Sequence, residues 1–84
     1  MITKDVLRDW FRYGVGEQAM FLLVICDTFS WEDYPVLAFS VAEAKDKHYK
    51  YLTGSNMTQV MEIYDLRKDM EEQINKVRNF AEIE

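Results

Sequence analysis

Most of the residue types that could do chemistry lie in residues 26–35, which read Cys-Asp-Thr-Phe-Ser-Trp-Glu-Asp-Tyr-Pro. Carboxylates, hydroxyls and large aromatic rings are concentrated there, between two apolar runs. Binding residues often lie in loops that a rigid scaffold holds in place. We therefore predict a binding site in a loop over residues 27–35, formed by Asp27, Thr28, Trp31, Glu32, Asp33 and Tyr34.

The aromatic residues of this loop have a structural and a functional interpretation. In the structural one, Asp27 and Thr28 form an Asx turn, while Phe29 and Tyr34 seal the edge of the core. In the functional one, Trp31 and Tyr34 are aromatic anchors inside an acidic rim, a composition typical of protein interfaces. The functional interpretation predicts protein recognition.

The carboxylates of the loop support two alternatives from other functional classes. Asp27, Glu32 and Asp33 could hold a hard cation, which prefers oxygen ligands, although their spacing lacks the ligand positions and the glycine of an EF-hand. Two of them could instead serve a minimal hydrolase, if a cleft held them apart with separated pKa values. A metal binder, a small-molecule binder and a carboxylate-based hydrolase therefore remain alternatives to protein recognition.

Histidine, cysteine and glycine chemistry is not indicated elsewhere. His48 is the only histidine, and helical spacing places it on the inner face of a helix. Cys26 ends an apolar run, where a thiol acts as a small hydrophobe with a raised pKa. Gly14 and Gly16 precede a strand, the reverse of the order in phosphate-binding loops. We predict no catalytic residues, no resident metal and no cofactor, and hence a protein that is not an enzyme.

The net charge of −5 disfavours nucleic acid as a partner, because nucleic-acid affinity comes largely from lysine and arginine. Residues 17–40 carry four acidic side chains and no lysine or arginine. Lys45, Lys47 and Lys50 form a small basic face, which we interpret as the solvated side of a helix.

Composition indicates a globular domain in the cytoplasm. At 84 residues and 49% hydrophobic content, the chain can form one domain, residues 1–84, with a real core. Its single cysteine cannot form an internal disulfide, and its first residues do not resemble an export signal. The longest apolar run, residues 19–26, is too short to cross a bilayer.

The first half of the chain predicts a helix and two strands. Thr3 can cap the helix, and Gly14 and Gly16 can end it. Residues 20–26 have no polar side chain on either alternating face, as expected of a central strand covered on both sides. Residues 27–34 are then a long hairpin loop, and residues 35–39 a second strand, with Pro35 at its start or on an edge.

The second half predicts a helix, a strand and a long final helix. Ser40 and Glu43 form a capping box for a helix that carries residues 41, 44, 48, 51 and 52 inward and ends at residues 53–54. Residues 56–64 alternate as a strand. Asp65 can cap a last helix whose stripe includes residues 66, 70, 74, 77 and 81.

The order αββαβα defines a small α+β domain. A right-handed crossover places the third strand parallel to the second and on the far side of the first, which gives a mostly antiparallel three-stranded sheet of order 2-1-3. Three helices pack on it, two on one face and one partly covering the other. A homodimer through a half-covered face that includes Val60 and Tyr64 is a further possibility.

Parts of this sequence resemble a family of small bacterial and phage proteins that have no established activity. The resemblance covers residues 10–66 and is carried by Trp10-Phe11, Gly14-Val15, the motif CDTF-x-x-EDYPV at residues 26–36, Asn56-Met57 and residues 60–66. It implies a phage-associated interaction protein that binds, and can inhibit, a host macromolecule such as a component of a CRISPR defence system.

Overall fold

The helices and strands follow the predicted order along the chain. The computed structural model describes residues 2–53 and 57–84. Its elements are α1 (Lys4–Gly16), β1 (Phe21–Asp27), β2 (Glu32–Ala38), α2 (Val41–Leu52), β3 (Thr58–Asp65) and α3 (Met70–Ile74). Gly54, predicted to end the second helix, and Asn56, predicted to begin the third strand, lie outside the described residues.

The sheet has the predicted order, with β1 at its centre and antiparallel to both β2 and β3. The first six residues of β1 are buried, because helices cover both faces of the sheet. Leu22 and Val24 belong to an apolar cluster with α1 and α3, which we call the α1-side cluster. Phe21, Leu23 and Ile25 belong to a second cluster with α2, the α2-side cluster.

The first helix is capped as predicted and ends at Gly16, one of the two glycines predicted to end it. Thr3 Oγ1 accepts a hydrogen bond from the backbone N–H of Val6 at 3.3 Å. Gly14 lies inside the helix and is buried against Leu66 and Leu37, so its role is close packing. The helix continues to Gly16, and Gln18 then reverses the chain with a φ of 65°.

The second helix begins with the predicted capping residues. Ser40 Oγ accepts from the backbone N–H of Glu43 at 3.0 Å. The Glu43 carboxylate reaches back to the N–H of Phe39, at 3.3 Å, one residue before the expected donor. Ala44 is buried, but Leu52, predicted to point inward, is exposed.

The predicted long hairpin loop is wrong. The register pairs Asp27 with Glu32 and Cys26 with Asp33, so β2 begins three residues before Pro35. Only residues 28–31 form the turn. The polarity of Glu32 and Asp33 concealed the strand, since they lie at its open end, where side chains remain in contact with water.

A β-bulge breaks the predicted alternation of β3. Val24 pairs with Glu62 and Ile25 with Val60, which leaves Met61 as the extra residue. Tyr64 is buried in the α1-side cluster, whereas the bulge moves Val60 to the other face, where it packs against the α2-side cluster. The open face expected to contain both residues does not exist, because they lie on opposite sides of the sheet.

The predicted long final helix is also wrong. α3 is five residues long and is capped by Asp69, whose carboxylate accepts from the N–H of Glu72 at 2.9 Å. The chain then runs extended beside β3: the N–H of Ile63 donates to Asn79 O at 2.8 Å, and the N–H of Ala81 donates to Ile63 O at 3.0 Å. These bonds occupy backbone groups of β3 that a helix would have left open. Val77, placed in the helical stripe, is fully exposed.

Helices flank the sheet as expected, with α1 and α3 on one face and α2 on the other. Arg8 of α1 connects α1 to α3 through a bidentate ion pair with Glu71, with N–O distances of 2.8 and 3.0 Å. None of the helices in residues 2–53 and 57–84 is long and apolar enough to span a membrane.

Asp65, predicted to cap the last helix, instead organises a buried polar network at the end of β3. Gln73 accepts from the N–H of Asp65 and donates to its carbonyl oxygen, both at 2.8 Å. The Asp65 carboxylate accepts two bonds from the Arg67 guanidinium at 3.0 Å. Burial alone would raise the pKa of Asp65, but hydrogen bonds and charge from Arg67 outweigh it and lower that pKa.

The two glycines of α1 should respond oppositely to alanine. A Cβ at Gly14 would lie 2.7 Å from Leu66 Cδ1 and 3.0 Å from Leu37 Cδ2, whereas a Cβ at Gly16 meets nothing within 4 Å. We expect Gly14→Ala to lower the free energy of unfolding by about 1 kcal/mol, since overpacking exceeds the gain in helix propensity. Gly16→Ala should raise it by about 0.5 kcal/mol. Urea denaturation measures both, and equal stability of the two variants would contradict this packing role.

Arg67→Gln should destabilise the protein in a pH-dependent way. The lowered pKa of Asp65 stabilises the native state above the unfolded pKa of about 4, and this contribution disappears as the pH falls through the native value. Without Arg67, the carboxylate is buried unpaired at neutral pH. The variant should therefore melt several degrees below wild type at pH 7, and the difference should shrink at pH 3. Arg12→Gln, an exposed charge removal on α1, is the control, and a constant difference for Arg67→Gln at all pH values would refute the coupling.

Candidate functional site

The turn of the β1–β2 hairpin is held by Asp27. Its Oδ1 accepts from the backbone N–H groups of Phe29, at 2.8 Å, and Ser30, at 3.4 Å. The N–H of Trp31 closes the turn on Asp27 O at 2.6 Å. The predicted Asx turn is confirmed, and the Asp27 carboxylate is engaged within the protein.

Thr28 ties this turn to the start of β3. Its N–H and its hydroxyl both donate to the carbonyl oxygen of Met57, at 2.8 and 2.7 Å. Met57 has a φ of 57°, which non-glycine residues adopt rarely. Thr28 is therefore a positioning residue that brings Met57 to the hairpin turn.

Three large apolar side chains are exposed at this end of the sheet. Phe29 is 80% exposed, Trp31 is 70% exposed and Met57 is 54% exposed. The expectation that Phe29 seals the core edge is wrong. We call these three residues the tip patch. Phe29 and Trp31 lie on the turn, and Met57 is hydrogen-bonded to it through Thr28. Exposed apolar groups grouped in one part of a surface mark interaction sites more often than isolated ones do.

Trp31 presents its indole from a strained backbone. Its φ is 59°, in the left-handed region that favours glycine and asparagine over bulky residues. Strain of this kind costs on the order of 1 kcal/mol or more and persists where surrounding structure imposes it, often at functional sites. The tight turn on Asp27 imposes it here.

The other predicted site residues divide between the two faces of the sheet. Asp33 pairs with Cys26, which lies on the same face of β1 as Leu22 and Val24 of the α1-side cluster. Tyr34 packs in the α2-side cluster, edge-on to Tyr51 with ring centroids 6.4 Å apart. By the alternation of side chains along a strand, Glu32 shares the face of Tyr34.

The three carboxylates of the candidate loop therefore do not converge. Asp27 pairs with Glu32 and Cys26 pairs with Asp33, so strand alternation divides the carboxylates between two faces, while Glu32 and Asp33 both border the groove beside Trp31. Within residues 2–53 and 57–84, no three His, Cys, Asp or Glu side chains are close enough together to share a metal ion. Tyr34 is partly buried against Tyr51, so it is not an exposed anchor beside Trp31.

Cys26 has the environment of a packing residue. It is buried, and burial together with the Asp33 carboxylate raises the pKa of its thiol. Raising the thiol pKa lowers the thiolate fraction and hence nucleophilicity. His48 is half-buried and lines a groove between α2 and residues 80–84.

A cleft of about 510 Å³ on the α1 side of the sheet was missed by sequence reasoning. We call it the α1-side cleft. It lies between the start of α1, the ends of the strands and the segment after α3. Its charged lining residues are Lys4, Asp33, Glu62, Lys76 and Arg78, and its apolar ones include Leu7, Val24, Trp31, Met61 and Ile74.

Glu62 enters this cleft from β3, where it pairs with Val24 and lies on the same face as Tyr64. The side chain is buried, and its Oε1 accepts a long hydrogen bond, 3.4 Å, from the N–H of Asn79. The Tyr64 hydroxyl is also buried and makes no hydrogen bond within the described residues. Burial and the nearby Glu62 carboxylate raise the pKa of Tyr64 far above its ordinary value. Glu62 and Tyr64 are two residues apart, so strand alternation places them on one face, but alternation does not show that this face is buried.

Compared with known proteins, the chain matches no family model, and no curated protein or solved structure is significantly similar to it. Function must therefore be inferred from the geometry of the site.

The Asx turn provides a direct test of how the tip is held. Asp27→Ala removes the acceptor for two backbone N–H groups, and we expect a loss of about 1 kcal/mol in the free energy of unfolding. Asp27→Asn retains an acceptor oxygen and should lose less than half as much. Urea denaturation and amide hydrogen exchange at Phe29 and Ser30 measure the effect. Equal stability and equal exchange in the two variants would show that the side chain does not hold the turn.

Proposed function

We propose that this chain is a non-catalytic interaction protein that binds a partner protein through the tip patch. The observation that carries the proposal is the 70% exposure of Trp31 on a strained, hydrogen-bonded turn. The backbone itself gives no reason to place a tryptophan there, because asparagine or glycine would fit its φ better. Binding a partner does give one.

The chemistry of the tip patch favours a protein as that partner. Tryptophan, phenylalanine and methionine are enriched in interface cores, and tryptophan is prominent among the residues that dominate binding energy. The turn is already ordered by the bonds to Asp27 and Met57. Association would therefore lose little additional conformational freedom at this site.

Acidic residues beside the tip patch favour a basic surface on the partner. Glu32 is exposed and Asp33 is partly exposed, directly after Trp31. Residues 17–40 contain no lysine or arginine to neutralise them. Charge complementarity would raise the association rate and would make binding weaken with added salt.

A host protein is the partner class that the family resemblance favours, and inhibition of a defence system such as CRISPR is the activity to test first. The proposed setting is the cytoplasm, consistent with a single buried thiol. Homodimerisation, metal or small-molecule binding and carboxylate hydrolysis by residues 27–35 remain untested predictions. Metal binding and carboxylate hydrolysis both need carboxylates that lie close together. The division of the three carboxylates between two faces therefore favours protein recognition over these two functions.

Substitution of the tip patch should abolish partner binding without unfolding the protein. Trp31→Asn suits the left-handed backbone and should change the free energy of unfolding by about 1 kcal/mol or less. Combined with Phe29→Ser, it should weaken the partner's Kd at least about tenfold, as expected for loss of a central aromatic anchor. Tyr49→Ser is the control, because Tyr49 is 71% exposed on α2, away from the hairpin.

The measurement has two stages. Affinity capture from host lysate is carried out with wild type, the tip variant and the Tyr49 variant. A candidate partner is a protein that wild type and the Tyr49 variant retain and the tip variant does not. Titration calorimetry with the purified partner then gives the Kd values at two salt concentrations. If wild type retains nothing beyond what the tip variant retains, the proposal is wrong. A phage or plasmid interference assay with the same three chains tests inhibition of the CRISPR system.

A further inference from the structure

A groove between α1 and the start of β2 is lined by both tryptophans of the chain. Its lining residues are Ile2, Val6, Trp10, Trp31, Glu32 and Asp33, and its volume is about 330 Å³. We call it the Trp31 groove. That volume is near the lower end of the range of roughly 300–1,000 Å³ found for ligand pockets, so the groove suits one long side chain better than a large ligand.

The apolar walls of the Trp31 groove are accessible to a bound group. Trp31 is 70% exposed and Val6 is 37% exposed. Ile2 and Trp10 are partly buried, because they pack against the α1-side cluster. An occupant would therefore bury apolar surface that is in water in the free protein, against walls that packing and the hairpin turn already hold in place.

The charged side chains of this groove are both acidic. Glu32 is exposed and Asp33 is partly exposed. Among the described residues, neither carboxylate forms a salt bridge with a lysine or an arginine. The first basic residue of α1, Lys4, donates from Nζ to Asn75 Oδ1 at 3.2 Å, which directs it towards the end of α3. The groove is therefore complementary to a positive charge.

Indole rings beside carboxylates favour a guanidinium group over an ammonium group. A guanidinium stacks on the face of an aromatic ring and can donate two parallel hydrogen bonds to one carboxylate. It is also more weakly hydrated than an ammonium group, so it loses less on leaving water. Both the rings and the carboxylates that such a group needs line this groove.

We propose that the Trp31 groove binds an arginine side chain of the partner protein, with the guanidinium against the indoles of Trp10 and Trp31 and its N–H groups donating to Glu32 or Asp33. This inference rests on the proposed function for the source of the arginine. Trp31 belongs to both the tip patch and the groove, so a partner seated on the patch also covers the groove. Arginine is enriched in protein interfaces and among the residues that dominate their binding energy.

Three blocked amino acids test the chemistry of the groove without the partner. The acetylated methylamides of arginine, citrulline and lysine are titrated into the full chain. Citrulline has nearly the shape of arginine but carries no charge. Trp10 and Trp31 are the only tryptophans of the chain, so their two indole N–H signals in NMR spectra report directly on the groove.

We expect the arginine derivative to shift both indole signals in a saturable way, with a Kd on the order of 1 mM for a single side chain. The citrulline derivative should bind at least about tenfold more weakly, because it lacks the charge-assisted hydrogen bonds. The lysine derivative should bind about threefold more weakly than the arginine derivative, because an ammonium group has no planar face to stack on an indole.

A matched pair of charge variants tests the two carboxylates. Glu32→Gln with Asp33→Asn should lower the affinity for the arginine derivative about tenfold and leave that for the citrulline derivative unchanged. Asp46→Asn with Glu82→Gln makes the same change in net charge at exposed positions in α2 and in the segment after residue 80. This control variant should leave both affinities unchanged.

Four results would overturn the proposal. They are no saturable shift with the arginine derivative, equal affinity for the arginine and citrulline derivatives, tightest binding of the lysine derivative, and equal effects of the two double variants. Tighter binding of free arginine than of its blocked derivative would assign the groove to the amino acid instead of a partner, and would overturn it as well.

Failure of this inference is distinguishable from failure of the proposed function. Capture of a protein that depends on the tip patch, combined with no binding of the arginine derivative, refutes the arginine site and leaves the proposed function standing. Binding of the arginine derivative, combined with no captured protein, refutes the partner as the source of the arginine.

Discussion

Burial of β1 on both faces is the constraint on which the rest of the structure depends. Six consecutive residues of this strand are buried, five of them completely, so each face needs its own helical cover and each edge needs a partner strand. At about 25 cal/mol per Å² of apolar surface, this strand contributes much of the driving force available to so small a domain. The two apolar clusters are separate because alternate residues of one strand supply them.

The two ends of the sheet differ in how their polar and apolar groups are satisfied. At the end near Phe21 and Asp65, the buried network of Gln73 and Arg67 satisfies the backbone and the carboxylate. At the other end, Asp27 accepts hydrogen bonds from backbone N–H groups and Thr28 donates to a backbone carbonyl, but large apolar side chains remain in water. The second end is therefore where both the tip patch and the α1-side cleft occur, and Trp31 belongs to both.

Capping and turn residues in the sequence predicted the helix starts and the hairpin turn, which depend on hydrogen bonds between residues close together in the chain. The caps at Thr3 and Ser40 and the Asx turn at Asp27 involve residues two to four apart, and each formed. The predicted site residues are only partly placed as expected: Trp31 is exposed, but Tyr34 is packed against Tyr51. The division of the carboxylates between two faces could not be seen without the register that makes Glu32 and Asp33 part of β2.

The sequence by itself determined the element order, the central position of β1 and the sheet order, because a run of buried residues and the handedness of a crossover leave few alternatives. Only the tertiary structure decided three other features: Gly14 as a packing position, the bulge at Met61, and the extended course of residues 79–81 along β3. Each depends on contact with residues distant in sequence. Helical periodicity in the final segment was outweighed by open backbone groups on β3, which an extended strand can satisfy and a helix cannot.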